Sequence, residues 1–474
     1  MEDLISNSIN SFSKFLTEAE PKLKKRNSGS ILVSFVLQIS NFQIENKKNF
    51  LLKLYERSFY FEKPKEDFSI IGIDEILTIS ENGEGRFAIT DKKIKEWKNN
   101  FVNNWETVSI KRIPLFLGAM KFTPEHNDEI WQDFNDSTWF VPEVMLLIEN
   151  SNQFLFFNFT YSQSTSKNSI LKKFQKKVEK IFSDETINAN QNHPKVIGIE
   201  GNTPKDKKKW KNLVSEGIQK IGENQIEKIV LSRKVELKLS DEPNLDYILS
   251  KLKSGYPECY LFIYHHGKSS FFGATPEKLA EFSDGNVEID ALAGSAPRGL
   301  TEAEDKKIED ELLKDNKNLN EHNFVVTHIK SSITNLTNDF SMDENHKIKK
   351  LANIQHILTK ITAKMNEPNM ILNLLKELFP TPAICGNPKD TSLHLIKKME
   401  GYRRGLYSGI IGWFNFNDEG DFAVAIRSAL STNNKLIAFA GCGIVEDSDP
   451  ESEFKETELK LKTIMSLFIN ENKN

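Results

Sequence analysis

Segments rich in β-branched and aromatic residues follow one another along this chain without the intervening helices that a parallel sheet requires. ILVSFVLQI (31–39), FSIIGI (68–73), VMLLIEN (144–150) and NQFLFFNFT (152–160) predict strands in the first third. KIVLSRKVEL, YLFIYHH, SSFFGA, KLAEFS, VEIDALAGSA, YSGIIGWF, DFAVAIRSAL and KLIAFAGCGIV predict more beyond residue 226. Helical spacing predicts helices over 170–182, 208–223, 302–338, 345–363 and 453–468. Strands outnumber alternating strand–helix units, so the fold class is α+β, with antiparallel sheets in place of a parallel doubly wound one. No GxGxxG follows a first strand and no GxxxxGK[ST] occurs, so a nucleotide-binding loop is not predicted. A polar stretch over 183–205 separates an N-terminal part, 1–205, from the remainder, 206–474.

A net charge of −4 over 474 residues argues against a nucleic-acid partner. The basic runs KKFQKKVEK (172–180) and KDKKKWK (205–211) interleave with apolar residues at helical spacing and read as solvated helix faces. No segment reaches the ~20 apolar residues of a membrane helix, and MEDLISNSIN lacks the basic and apolar regions of a secretion signal. Cys259, Cys385 and Cys442 lack CxxC spacing, as suits reduced thiols. These features predict a cytoplasmic protein with no membrane partner, and a monomer.

The final helix carries charges on an unexpected side. Glu453, Glu456 and Lys460 fall in one row that continues into Ile464 and Leu467, beside the apolar stripe of Phe454, Leu461 and Met465. One reading is a solvated Glu456–Lys460 pair. The other is a pair of inward acids one turn apart, which suits a hard cation such as Mg²⁺. Glu321 aligns with Val325 and His328 on another helix, as a helix-end acid or a further ligand; HExxH is absent and zinc is not expected.

Four other features carry chemistry. Lys228 enters an all-apolar strand, where it either snorkels or, desolvated, becomes able to take a proton from water. Glu277 follows Pro276 between two strands, either as a turn acid or as a proton donor with a raised pKa. LAGSAPRG and AFAGCGI place Gly294, Ser295 and Gly441 at strand ends where backbone amides can approach an anion. Arg427, expected in mid-strand among apolar residues, calls for a carboxylate partner. Together these residues suit a small, multiply carboxylated ligand.

EKIVLSRK, FGATPEKL, ALAGSAPRG, EHNFVV, PTPAICGNPK, YSGIIGW, AIRSA, AGCGIV and EFKETELKL occur in this order over 206–474, and with them the chain resembles the chorismate-utilising enzymes, most closely the isochorismate synthases. The resemblance implies two large stacked antiparallel sheets with helices outside, completed by residues 1–205. It implies Mg²⁺ held by Glu321 and Glu456, with Glu453 acting through water, the ion gripping the ring carboxylate of chorismate. It further implies hydrogen bonds to that carboxylate from Gly294 and Ser295. The enolpyruvyl carboxylate would fall to Arg427, Gly441 and Lys460. Lys228 would be the base activating water for C2 and Glu277 the acid for the departing C4 hydroxyl.

Ammonia-using relatives such as anthranilate synthase typically carry glutamine where Lys228 stands, and aminodeoxychorismate synthase carries a nucleophilic lysine where this chain has Ala293. Water, not an amine, is therefore the implied nucleophile. Asn323 departs from the HEHE pattern of some isochorismate synthases. The alternatives are a salicylate synthase, which also has a lysine at this position, and a non-catalytic binding protein of the same fold. The implied product would serve menaquinone or siderophore synthesis.

Overall fold

The computed structural model describes residues 2–469 except 25–28, 41, 43–50, 54, 125–128, 184–193, 335 and 338. Two sheets, of 13 and 10 strands, form its frame. Among the described residues the pairing of Ile31–Ile39 with Phe101–Asn103 is the one parallel exception to an antiparallel pattern. Residues on both sides of 183–205 build the same sheets. Tyr260–His266 pairs with Arg57–Lys63 in the larger, and Ile410–Phe414 with Phe116–Met120 in the smaller. Residues 184–193 of the polar connection expected between them lie outside the described residues.

Arg57–Lys63 is buried at every position, because each face of its sheet is covered. On the inner face, Phe59 and Phe68 meet Phe140 and Trp413 of the smaller sheet, with ring centroids 6.5 and 5.8 Å apart. On the outer face, Phe12 of the helix Glu2–Lys24 packs against Phe35 and Phe174 at 5.1 and 4.3 Å. Each such ring contributes roughly 1.5–3 kcal/mol through burial.

Three predicted elements differ. Residues 345–363 form no helix but two strands, Lys347–Lys350 and Ile354–Lys364, the second paired along Asn286–Pro297. Ile357, Thr359, Ile361 and Ala363 point inwards while Lys360, Thr362 and Lys364 are more open. That period of two outweighs the helical propensity of the lysines. The span 302–338 is two helices, Glu302–Leu312 and Asn316–Thr334. Asp315 separates them by accepting from the Asn318 amide at 2.8 Å, which starts a fresh helix. DFAVAIRSAL is two strands, Gly420–Val424 in the smaller sheet and Ser428–Thr432 in the larger, with Ala425–Arg427 crossing between them.

Candidate active site

A second crossing lies beside the first. Ser269–Thr275 belongs to the larger sheet and Lys278–Ser283 to the smaller, so Pro276 and Glu277 occupy the step between sheets. The two crossings are bonded together. The Val424 amide donates to the Glu277 carbonyl at 3.0 Å, the Ala274 amide to the Arg427 carbonyl at 3.1 Å, and Thr275 Oγ1 to the Val424 carbonyl at 2.6 Å. Arg427 is therefore not in mid-strand; it takes the left-handed conformation (φ 49°), a strained choice for a side chain of its size.

One cavity, about 70 Å³ in volume, opens at this junction. Glu277, Gly294, Ser295 and Glu321 line it, as do Arg427, Gly441 and Lys460. Lys228 stands behind Glu321, its Nζ 2.9 Å from Glu321 Oε1, and is itself fully buried. Glu453 and Glu456 do not line the cavity but adjoin it on the final helix, Pro450–Met465. Ligand pockets usually offer about 300–1,000 Å³, so this one is small.

Burial pushes the Glu277 carboxyl up to about 7 although Lys228, Lys460, Lys349 and Arg427 all pull it down. Burial opposes ionisation of Glu321 as well, yet the charge and hydrogen bond of Lys228, with Lys460 and Lys317 beyond, hold it below the usual carboxylate range. The two acids are thus driven apart, one towards a proton donor and the other towards a fixed anion. Arg427 is 5% exposed, and its guanidinium makes no ion pair or side-chain hydrogen bond among the described residues. Burial lowers its pKa, the mark of a cation short of a counter-charge. Lys460 donates to the Gly441 carbonyl at 2.9 Å and pairs with Glu456 at 2.6 Å, which joins two of the expected substrate-binding residues.

Ser295 is less free than expected. Its amide donates to Asn318 Oδ1 at 2.9 Å, and its hydroxyl lies 2.9 Å from His356 Nδ1. Gly294, at φ 77°, makes the bulge that turns this strand, and a Cβ there would lie 3.0 Å from Ile357 Cδ1 and 3.1 Å from the Asn318 carbonyl.

The expected metal ligands each engage a lysine: Glu321 with Lys228, Glu456 with Lys460, and Glu453 with Lys317 at 2.9 Å. Among the described residues no three of His, Cys, Asp or Glu are gathered into a group that could hold a metal ion, so the expected three-carboxylate cluster is not assembled. The donor chemistry nonetheless fits Mg²⁺, being all carboxylate oxygen. The three acids also share a neighbour. Against its burial, Lys317 is kept strongly protonated by Glu453 first, then by Glu456 and Glu321.

Two residues here escaped the sequence reading. His356 lines the cavity, its Nε2 buried without a partner among the described residues, and burial together with Arg427, Lys460 and Lys349 keeps it neutral. It lay hidden in the stretch expected to be helical. Gly443 admits the Lys228–Glu321 pair, since a Cβ there would stand 2.5 Å from Glu321 Oε1 and 2.8 Å from Lys228 Cε. All three cysteines are buried and free, and no helix among the described residues is long and apolar enough to cross a membrane.

Compared with known families, residues 14–469 match the chorismate binding enzymes. The chain belongs to that family. Over 462 residues it is 30% identical to isochorismate synthase MenF of Bacillus subtilis (strain 168), covering 96% of this chain and 97% of that one. It is 29% identical over 421 residues to a salicylate biosynthesis isochorismate synthase of Pseudomonas aeruginosa, covering 85% and 83%. The solved structure of MenF, the menaquinone-specific isochorismate synthase from Escherichia coli, matches with a TM-score of 0.77 at 20% identity, covering 96% of this chain and 100% of that one. At that identity the likeness is one of fold, and it bears out the expected α+β pair of sheets.

Proposed function

We propose that this chain is an isochorismate synthase, isomerising chorismate by adding water at C2 with loss of the C4 hydroxyl. One observation carries the reading: a single cavity at the sheet junction is lined by a buried acid, a buried guanidinium without an ion pair among the described residues, and Glu321, which pairs with Lys228 behind it. Arg427 and Lys460, beside Gly441, bind the enolpyruvyl carboxylate; Gly294 and Ser295 border the ring carboxylate. Lys228, in its neutral amine form, takes a proton as the water oxygen bonds to C2, the ring double bonds shift, and the C4–O bond breaks as Glu277 protonates the oxygen, which leaves as water. One water enters and one departs, so the sum is an isomerisation. Each proton transfer is worth roughly 10²–10⁴-fold, and holding the water against C2 adds to that.

Glu321 and Glu456 would hold Mg²⁺, with Glu453 through water, and the bound ion supplies positive charge to the ring carboxylate. Similarity to the Bacillus subtilis MenF along nearly the whole chain supports menaquinone synthesis as the use of the product over siderophore synthesis.

Incubation with chorismate, with Mg²⁺ or with a chelator in excess, followed by chromatographic separation of products, tests this. Isochorismate that accumulates only with Mg²⁺ is expected. Salicylate and pyruvate instead would mark a salicylate synthase, and binding of chorismate without turnover a non-catalytic protein.

A further inference from the structure

Lys349 has no place in the reaction above and does not line the cavity, yet it reaches the acid's turn. It lies on Lys347–Lys350, a short edge strand, opposite His356 of Ile354–Lys364. From there its Nζ donates to the Pro276 carbonyl at 2.6 Å, one residue before Glu277. Its other neighbour is Asp290, whose Oδ2 lies 3.7 Å away and whose buried Oδ1 has no partner among the described residues. Proline has no amide hydrogen, so this step of the chain is held through its carbonyl. The Glu277 amide donates to Thr275 Oγ1 at 3.2 Å and the Glu277 carbonyl accepts from Val424. Lys349 therefore completes a set of three restraints on consecutive peptide groups.

We propose that Lys349 is a positioning residue for Glu277: its bond to the Pro276 carbonyl fixes where the acid stands, and its charge sets how readily the acid releases its proton. The groups acting on Glu277 come from every side. Lys228 lies on Lys228–Leu239, Lys460 on the final helix and Arg427 on the neighbouring crossing, while Glu321 and His356 line the same cavity. Lys228, Lys460 and Arg427 are committed to water or substrate, which leaves Lys349 as the cation beside the acid with no part in the reaction itself. The inference rests on Glu277 being the acid of the proposed reaction.

The test is the pH profile of kcat for Lys349→Met and Lys349→Arg beside the parent protein and Glu277→Gln, with thermal melts as a check on folding. In the parent, activity falls as pH rises through the Glu277 pKa of about 7. In Lys349→Met that limb moves to higher pH by roughly half a unit or more, as removal of one nearby positive charge requires, and kcat at its plateau falls about tenfold. Lys349→Arg keeps the parent limb. A Lys349→Met limb that stays in place overturns the proposal, whether or not kcat falls. Glu277→Gln separates the two readings: if it turns over at the parent rate, the acid assignment itself fails. If it is inactive while Lys349→Met behaves as the parent, only the role of Lys349 fails.

Discussion

Lys228 Nζ donates to Glu321 Oε1 at 2.9 Å, joining the first residue of the strand Lys228–Leu239 to a helix residue 93 positions further along. The pair binds the candidate base to a candidate metal ligand. Whatever draws Glu321 away alters the partner of Lys228.

Removal of that lysine tests its role. Lys228→Ala lowers kcat by at least about 10²-fold, the lower bound for a lost general base, and leaves Mg²⁺-dependent chorismate binding by calorimetry largely intact. An unchanged kcat would reject the role.

Gly443 offers a gentler perturbation of the same pair. With Cβ only 2.5 Å from Glu321 Oε1 and 2.8 Å from Lys228 Cε, Gly443→Ala must displace both. Overpacking costs about 1–3 kcal/mol, so a small fall in melting temperature should accompany a large loss of kcat. Wild-type kinetics would show that the pair can shift without consequence.

Glu277 links activity to stability with opposite signs. Its folded pKa of about 7 stands above the ordinary 4.5 because of burial. The stability this confers is therefore complete below about pH 4.5 and is lost as pH rises through about 7. Glu277→Gln, fixed in the neutral form, should unfold later than the parent at pH 8, by on the order of 3 kcal/mol. It should also lose about 10²–10⁴-fold in kcat. Melting curves at pH 5 and pH 8 check the first part: a gain present equally at both would contradict it.

Arg427 carries the same tension. Its buried guanidinium makes no ion pair among the described residues, and burial outweighs the pull of Glu456, so Arg427→Met should stabilise the ligand-free protein while raising KM for chorismate. A charge-assisted hydrogen bond contributes about 1.5–3 kcal/mol, which is roughly 10–100-fold in KM. A KM within twofold of the parent would remove Arg427 from substrate binding.

The strands were legible because their alternation is local. The helix Pro450–Met465 was legible in the same way, its inward row of Glu453, Glu456 and Lys460 being a matter of 100° steps. What the sequence hid was long-range. Ile354–Lys364 read as helix because its pairing partner, Asn286–Pro297, lies far earlier in the chain; Lys347–Lys350, which pairs with Ile354–Lys364, and His356 were missed with it. The crossing at Ala425–Arg427 has no local sign, since its φ of 49° at Arg427 is imposed by bonds to the neighbouring crossing. Spacing offered the Glu456–Lys460 pair as one reading, but it could not reveal that Glu321 engages Lys228 and Glu453 engages Lys317.

Turnover in ¹⁸O-labelled water tests the central claim most directly. Addition at C2 with departure of the C4 hydroxyl predicts isochorismate with one ¹⁸O, located on C2 by mass spectrometry of its fragments. Isochorismate formed without label would mean that the hydroxyl migrates within the substrate, and that Lys228 activates no water.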